Sequence, residues 1–227
     1  MTPYGLSHLV PLAVFMVGLV VLVGVDLRRD YPVEGDAGVR LVERCWALAI
    51  VVCTLPFQLY DAATNFELGV SLPLHLCDLA WVAAALALWT HHRVAVALTF
   101  YWGVVLTTQA LVTPSLGEDF PEGRYFAFWV LHTLIVWAAV HLVLDPRLRP
   151  GWREYRATVA ITLLWAVATY LFNVAAGTNY GYLQAKPSSG SLLDLLGPWP
   201  IYVFLEIAIV AGVWAGMTAL LVRSRRT

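Results

Sequence analysis

Seven stretches of about 20 mainly apolar residues constrain this chain more than anything else in it. They lie at about 6–27, 41–61, 72–90, 94–113, 124–144, 155–177 and 199–222. A run of that length is what an α-helix needs to cross the ~30 Å hydrocarbon core of a bilayer. Backbone in lipid must satisfy its own N–H and C=O groups, and long, unalternating apolar runs do so as helices. With hydrophobic residues at 60% and charged residues at 13% of 227, a soluble globule of this length is excluded. The expected fold class is all-α: a polytopic protein of the cell membrane, one domain spanning 1–227 and built as a seven-transmembrane-helix bundle. The first stretch has neither a basic leader nor a small-residue cleavage pattern and is expected to be a retained span. The longest connection, 178–198, holds Gly, Ser, Pro and the only lysine, a loop composition.

The basic residues orient the bundle. Of the fourteen Lys and Arg, all but Arg124 and Lys186 follow the odd-numbered stretches 1, 3, 5 and 7. Cytoplasmic loops carry such an excess, so the expected N-terminus is outside and the C-terminus cytoplasmic.

With that orientation, the intramembrane polar groups collect in the outer half. Gln58 and Asp61 close the second stretch, His75, Cys77 and Asp78 open the third, and Thr107, Thr108 and Gln109 end the fourth. Arg124 opens the fifth, with His132 two turns on. Asn173 ends the sixth, Asn179 and Lys186 follow in the connection, and Glu206 lies two turns into the seventh. The inner half offers little beyond Thr162, Thr169 and His141. Ionisable groups at membrane depth are costly and mark functional sites by default. Their convergence predicts an outward polar cavity, the alternative being interhelical hydrogen bonding as structural glue.

Within LPLHLCDLAW (72–81), His75 and Asp78 stand three apart and share a helix face, so the carboxylate is placed to orient the imidazole for acid–base work. Cys77, two residues from His75, points elsewhere on a regular helix. A histidine from another helix, His132 by depth, is placed to activate it. The competing reading of Cys77, as of Cys45 and Cys53, is an inert buried thiol. His91 and His92 read as solvated turn residues and His8 as interfacial. No CxxC, HxxH or HxxxH spacing occurs, so neither a metal site nor a disulfide framework is expected. No cofactor is expected, and there is no Gly-rich phosphate loop and no nucleic-acid patch.

The ordered set LPLHLCDLA (72–80), TPSL followed by DFP (113–121), His132, NYGYL then KP (179–187) and LLDLLGPWPIY (192–202) resembles the YwaF-type family of small integral membrane proteins. That family includes eukaryotic transmembrane acyltransferases of ether phospholipids, for which a cysteine in the equivalent third helix has been proposed as nucleophile. The resemblance implies acyl chemistry on a membrane phospholipid or lysophospholipid, with Cys77 as nucleophile, His75 or His132 as base, and Asp78 orienting a histidine. Gln109 or Asn173 would donate to an oxyanion, and Gln58, Asp61, Arg124, Asn179, Lys186 and Glu206 would line the substrate site. Two other classes remain open: a transporter or receptor binding a small polar or cationic ligand through Asp78, Glu206 and the histidines, and a structural membrane protein whose polar groups are all paired internally.

Overall fold

The computed structural model describes residues 4–29, 37–114, 116–187 and 191–224, and all regular structure in them is helical. The helices are α1 (Leu6–Asp26), α2 (Ala37–Thr64), α3 (Leu76–Thr90), α4 (Arg93–Tyr101), a π-helical turn (Trp102–Thr107), α5 (Thr108–Val112), α6 (Gly123–Leu144), α7 (Trp152–Ala176) and α8 (Ile201–Arg223). Short 3-10 turns form at Tyr180–Tyr182 and Leu192–Leu196. The basic residues Arg225 and Arg226, Ser115 in the fifth-helix loop and residues 188–190 lie outside the described residues.

Among the described residues, five segments are long and apolar enough to cross a membrane: α1, Arg93–Val112, α6, α7 and α8. The other two expected spans differ for physical reasons. α2 has 28 residues but carries Arg40, Glu43, Arg44 and Asp61. α3 has 15 residues, a rise of about 22 Å. The apolar run begins at Leu72, but Pro73 lacks an N–H to donate and Asp78 caps the chain at His75, so the helix starts at Leu76.

The chain forms two compact units, one of Met1–Phe57 with Ala80–Arg149 and the other of Gln58–Leu79 with Pro150–Thr227. In the first, α6 packs along α1, α4, the π turn and α5. Phe15, Leu111, Tyr125, Trp129 and Val136 form a buried cluster there. Hydrophobicity does not drive helices together in lipid, so close van der Waals fit between small residues does that work. Gly103, in the π turn, sits where a Cβ would come 2.8 Å from the Ala139 Cβ of α6. Thr108 Oγ1 donates to the Gly103 carbonyl at 3.1 Å, satisfying a backbone acceptor that the wider turn releases.

Gly18 is a second close approach. A Cβ there would stand 2.1 Å from the Trp137 ring, whose Nε1 donates to the Phe15 carbonyl at 3.2 Å. Gly18→Ala must displace that indole and break its bond across α1, at an expected cost of about 1–3 kcal/mol. Gly24→Ala, with nothing within 4 Å of its Cβ, is the matched control. Thermal midpoints of the two variants in the same detergent measure the contrast, and equal midpoints would refute it.

In the second unit α7 packs on α8, and Tyr155 Oη donates to the Ala211 carbonyl at 3.2 Å. The two 3-10 turns lie against these helices, Tyr180–Tyr182 on α7 and Leu192–Leu196 on α8. Large apolar side chains stand out from both helices, with Leu164 at 71% and Leu220 at 70% exposure. Such faces suit lipid rather than water.

Candidate functional site

The polar residues of the second unit gather around the head of α3, and most of them are used up in holding backbone. Asp78 sits in the first turn of α3. Its Oδ2 accepts the His75 backbone N–H at 3.0 Å, and its Oδ1 accepts Gln58 Nε2 at 2.9 Å. The His75 carbonyl in turn accepts the Asp78 N–H at 3.0 Å. The bonds of Asp78 therefore cap a helix rather than orient the His75 imidazole. A carboxylate at a helix N-terminus also complements the dipole there.

Asn173 and Asn179 do similar work in the connection after α7. α7 ends at Gly177, whose φ of 66° is the left-handed C-cap conformation that glycine adopts freely. The chain then folds back on Asn173, which is fully buried. Asn173 Oδ1 accepts Thr178 Oγ1 at 2.8 Å and the Tyr180 N–H at 2.9 Å, and its Nδ2 donates to the Tyr180 carbonyl at 2.8 Å. Asn179 Oδ1 accepts the N–H groups of Gln184 and Ala185, and its Nδ2 donates to the Ala185 carbonyl at 2.8 Å.

The residue so positioned is Tyr180. Its hydroxyl donates to the Leu68 carbonyl at 2.7 Å and accepts the Leu72 N–H at 3.0 Å, mooring the segment that leads into α3. Trp165 Nε1 adds a bond to the Leu74 carbonyl at 3.0 Å. Burial holds the Tyr180 hydroxyl above its ordinary pKa, so it stays a donor across the working pH range. Its ring lies 4.9 Å from the His75 imidazole, and Tyr182 lies 6.3 Å from that ring.

After these bonds are made, two side chains at the head of α3 take no part in holding the backbone. The His75 imidazole has ring contacts but no hydrogen-bond partner among the described residues. Cys77, in the first helical turn, is a half-buried free thiol. The N–H groups of Leu76 and Cys77 precede any intrahelical acceptor, as those of every helix start do.

A third such group is Glu206, one turn after the buried Tyr202 on α8, with no hydrogen bond or ion pair among the described residues. Tyr202 donates to the Tyr182 carbonyl. Lys186 Nζ lies 5.6 Å from the Tyr202 ring and 3.8 Å from Asp194 Oδ1. Asp61 lies near the C-terminal end of α2, where its carbonyl accepts the Asn65 N–H at 2.8 Å.

Three residues expected at the same site belong to the first unit instead. His132 is buried in α6, its Nδ1 bonded to the Phe128 carbonyl at 2.7 Å and its ring 4.1 Å from the Phe128 ring. Arg124 pairs with Glu118 at 3.0 Å. Gln109 lies in α5, where its carbonyl accepts the Thr113 N–H and hydroxyl. His8 is fully buried rather than interfacial, bonded to the Tyr4 N–H and the Leu111 carbonyl. Cys45 and Cys53 stand on exposed faces.

Sequence reasoning passed over Tyr180, Tyr182, Tyr202 and Trp165, because aromatic residues in an apolar chain read as filling. The signal available was NYGY, where an Asn and a Gly flank the tyrosines in a loop. Among the described residues no three His, Cys, Asp or Glu side chains are arranged to hold a metal ion.

The model of the TMEM164 family matches residues 3–218, nearly the whole chain. The chain belongs to the TMEM164 family. No curated protein and no solved structure matches it. Together with the apolar helices, membership of the TMEM164 family makes this a multi-pass membrane protein.

Proposed function

We propose that the protein transfers acyl groups between membrane phospholipids and lysophospholipids, with Cys77 as nucleophile and His75 as base. The observation that carries this reading is the pair of groups left over at the head of α3, where Asp78, Gln58, Asn173 and Tyr180 are all engaged in holding the backbone. His75 stands ahead of the helix, which begins at Leu76, so the opposite-face rule of a regular helix does not part it from Cys77. The resemblance to the YwaF-type family, with its proposed helix-3 cysteine, supports the same assignment. By the distribution of arginine the protein is a seven-span protein of the cell membrane with its N-terminus outside, and the head of α3 then belongs to the outer leaflet.

The chemistry balances with the groups at hand. His75 takes the Cys77 proton, and the thiolate attacks the ester carbonyl of a donor phospholipid. The backbone N–H groups of the first turn of α3 meet the developing oxyanion, as Asn173, with both ends of its amide engaged, does not. The leaving alkoxide takes the proton from His75 and departs as a lysolipid. A second lysolipid hydroxyl then gives its proton to His75, attacks the thioester and releases the Cys77 thiolate, which recovers the proton.

The acyl-enzyme gives the test. Protein incubated in nanodiscs with a phospholipid carrying an alkyne-tagged acyl chain should acquire a label that hydroxylamine removes, on Cys77 and not on Cys45 or Cys53. No thioester on Cys77 under turnover conditions would sink the mechanism. One observation favours a second reading, binding of a cationic ligand: the unpartnered carboxylate of Glu206 in α8. It predicts ligand-dependent thermal stabilisation that Glu206→Gln removes, with no labelling of any cysteine.

A further inference from the structure

The ends of α1, α2, α3 and α6 build another polar centre, wholly within the first unit and independent of the acyl chemistry. Asp26 and Glu43 are 1% and 2% exposed, and both face the buried His141 of α6. His141 Nδ1 stands 2.7 Å from Asp26 Oδ2, and its Nε2 stands 3.4 Å from Glu43 Oε1. The same Glu43 oxygen lies 2.9 Å from His91 Nε2. Its other oxygen accepts Arg40 Nη1 at 2.9 Å, while Arg29 pairs with Asp26 at 3.2 Å. Arg40 Nη2 also donates to the Trp89 carbonyl at 2.8 Å, closing the end of α3. Trp46 of α2 lies against the His141 ring at 5.7 Å between centroids. His91 reaches Glu43 because it ends α3 with a φ of 54°, and its N–H bonds the Ala87 carbonyl at 2.8 Å.

A neutral imidazole carries one N–H and bonds one carboxylate, whereas the imidazolium donates from both nitrogens. His141 has a carboxylate at each nitrogen, from two different helices. We propose that this centre is a proton-dependent latch, in which the His141 imidazolium fastens α2 to α1 and α6 and loss of its proton loosens the first half of α2. Its contact with α1 and α6 rests on few other groups, since the buried residues of that half besides Glu43 are Ala47 and Ile50, and the Arg40 and His91 bonds tie it to the end of α3 instead.

The groups facing His141 are Asp26 from α1, with Arg29 behind it, and Glu43 from α2, with Arg40 and His91 behind it. Of the remaining segment packed on α6, α4 supplies Arg93 and Tyr101 as titratable groups, and the π turn and α5 supply none. Loss of the ring proton removes one of its two donors, so the latch is closed at the lower pH and opens as pH rises. A neutral ring leaves one buried carboxylate short of its partner, which is costly.

The test is hydrogen exchange of residues 37–50 in the full-length protein in nanodiscs, corrected for intrinsic exchange chemistry, between pH 6 and pH 10. In the wild type, protection should hold at low pH and fall cooperatively as pH rises, while α8 stays unchanged. His141→Gln should be unprotected in this segment throughout and show no pH step. Glu43→Gln keeps the Asp26 bond and removes one anion, so its step should move down by about one pH unit or more. That shift is one a merely structural bond would not produce, and it also serves should His141→Gln fail to fold. Wild-type protection independent of pH, or a Glu43→Gln step at the wild-type position, would overturn the latch.

Discussion

Replacing Cys77 by alanine is expected to abolish acyl transfer in purified protein supplied with donor phospholipid and lysolipid, a fall of at least roughly 10³-fold. Nothing else at the head of α3 replaces the thiol. Asp78 has both oxygens engaged, and His75 is the proton carrier rather than the atom that bonds the acyl carbon. Cys77→Ser should recover little, because a hydroxyl is a poor nucleophile without stronger deprotonation. Cys45→Ala and Cys53→Ala, on exposed helix faces, should leave turnover as it is. Neither Cys77 variant removes a hydrogen bond that holds the fold, so thermal midpoints should stay close to the wild type. Wild-type turnover in Cys77→Ala would remove the thiol from the reaction.

The largest expected loss of stability comes from Asn173→Ala. This one side chain, fully buried, satisfies the Thr178 hydroxyl and both the N–H and the carbonyl of Tyr180. An unsatisfied buried polar group costs about 1–3 kcal/mol, and three are left behind. A fall on the order of 10 °C in the thermal midpoint follows. Activity should fall further than stability alone requires, because Tyr180 moors Leu68 and Leu72 and packs against the His75 ring. Asn173→Asp keeps the oxygens that accept from Thr178 and Tyr180 and loses only the donor, so it should fall between the two. A midpoint within about 2 °C of wild type for Asn173→Ala would show that the loop is held by other means.

The helices were legible because each spanning run outlasts any local ambiguity, and α6, expected at 124–144, runs Gly123–Leu144. The start of α3 was not, since the apolar character of Leu72 and Leu74 continues through residues that a proline and a capping carboxylate keep out of the helix. Hydropathy reports depth and not hydrogen bonding, so Asp78 read as a partner for the imidazole when it is a cap. The Asp26–His141 pair was illegible for a different reason. Its members lie 115 residues apart, and Asp26 and Glu43 sit near helix ends where a solvated charge is the ordinary expectation. Among the described residues, the ends of α1, α2, α3 and α6 hold a dense ionic centre, of which depth and hydropathy marked only His141.

The π turn at Trp102–Thr107 bears on how this segment is compared with others. Such a turn is an α-helix with one residue too many, and each extra residue advances the helical phase by about 100°. A wheel drawn straight through 94–113 therefore misplaces Thr108 and Gln109 by about 100°, a little over a quarter of a turn. An alignment that closes a one-residue gap in this helix rotates every later residue by the same angle, so gap placement here is a structural decision before it is a statistical one.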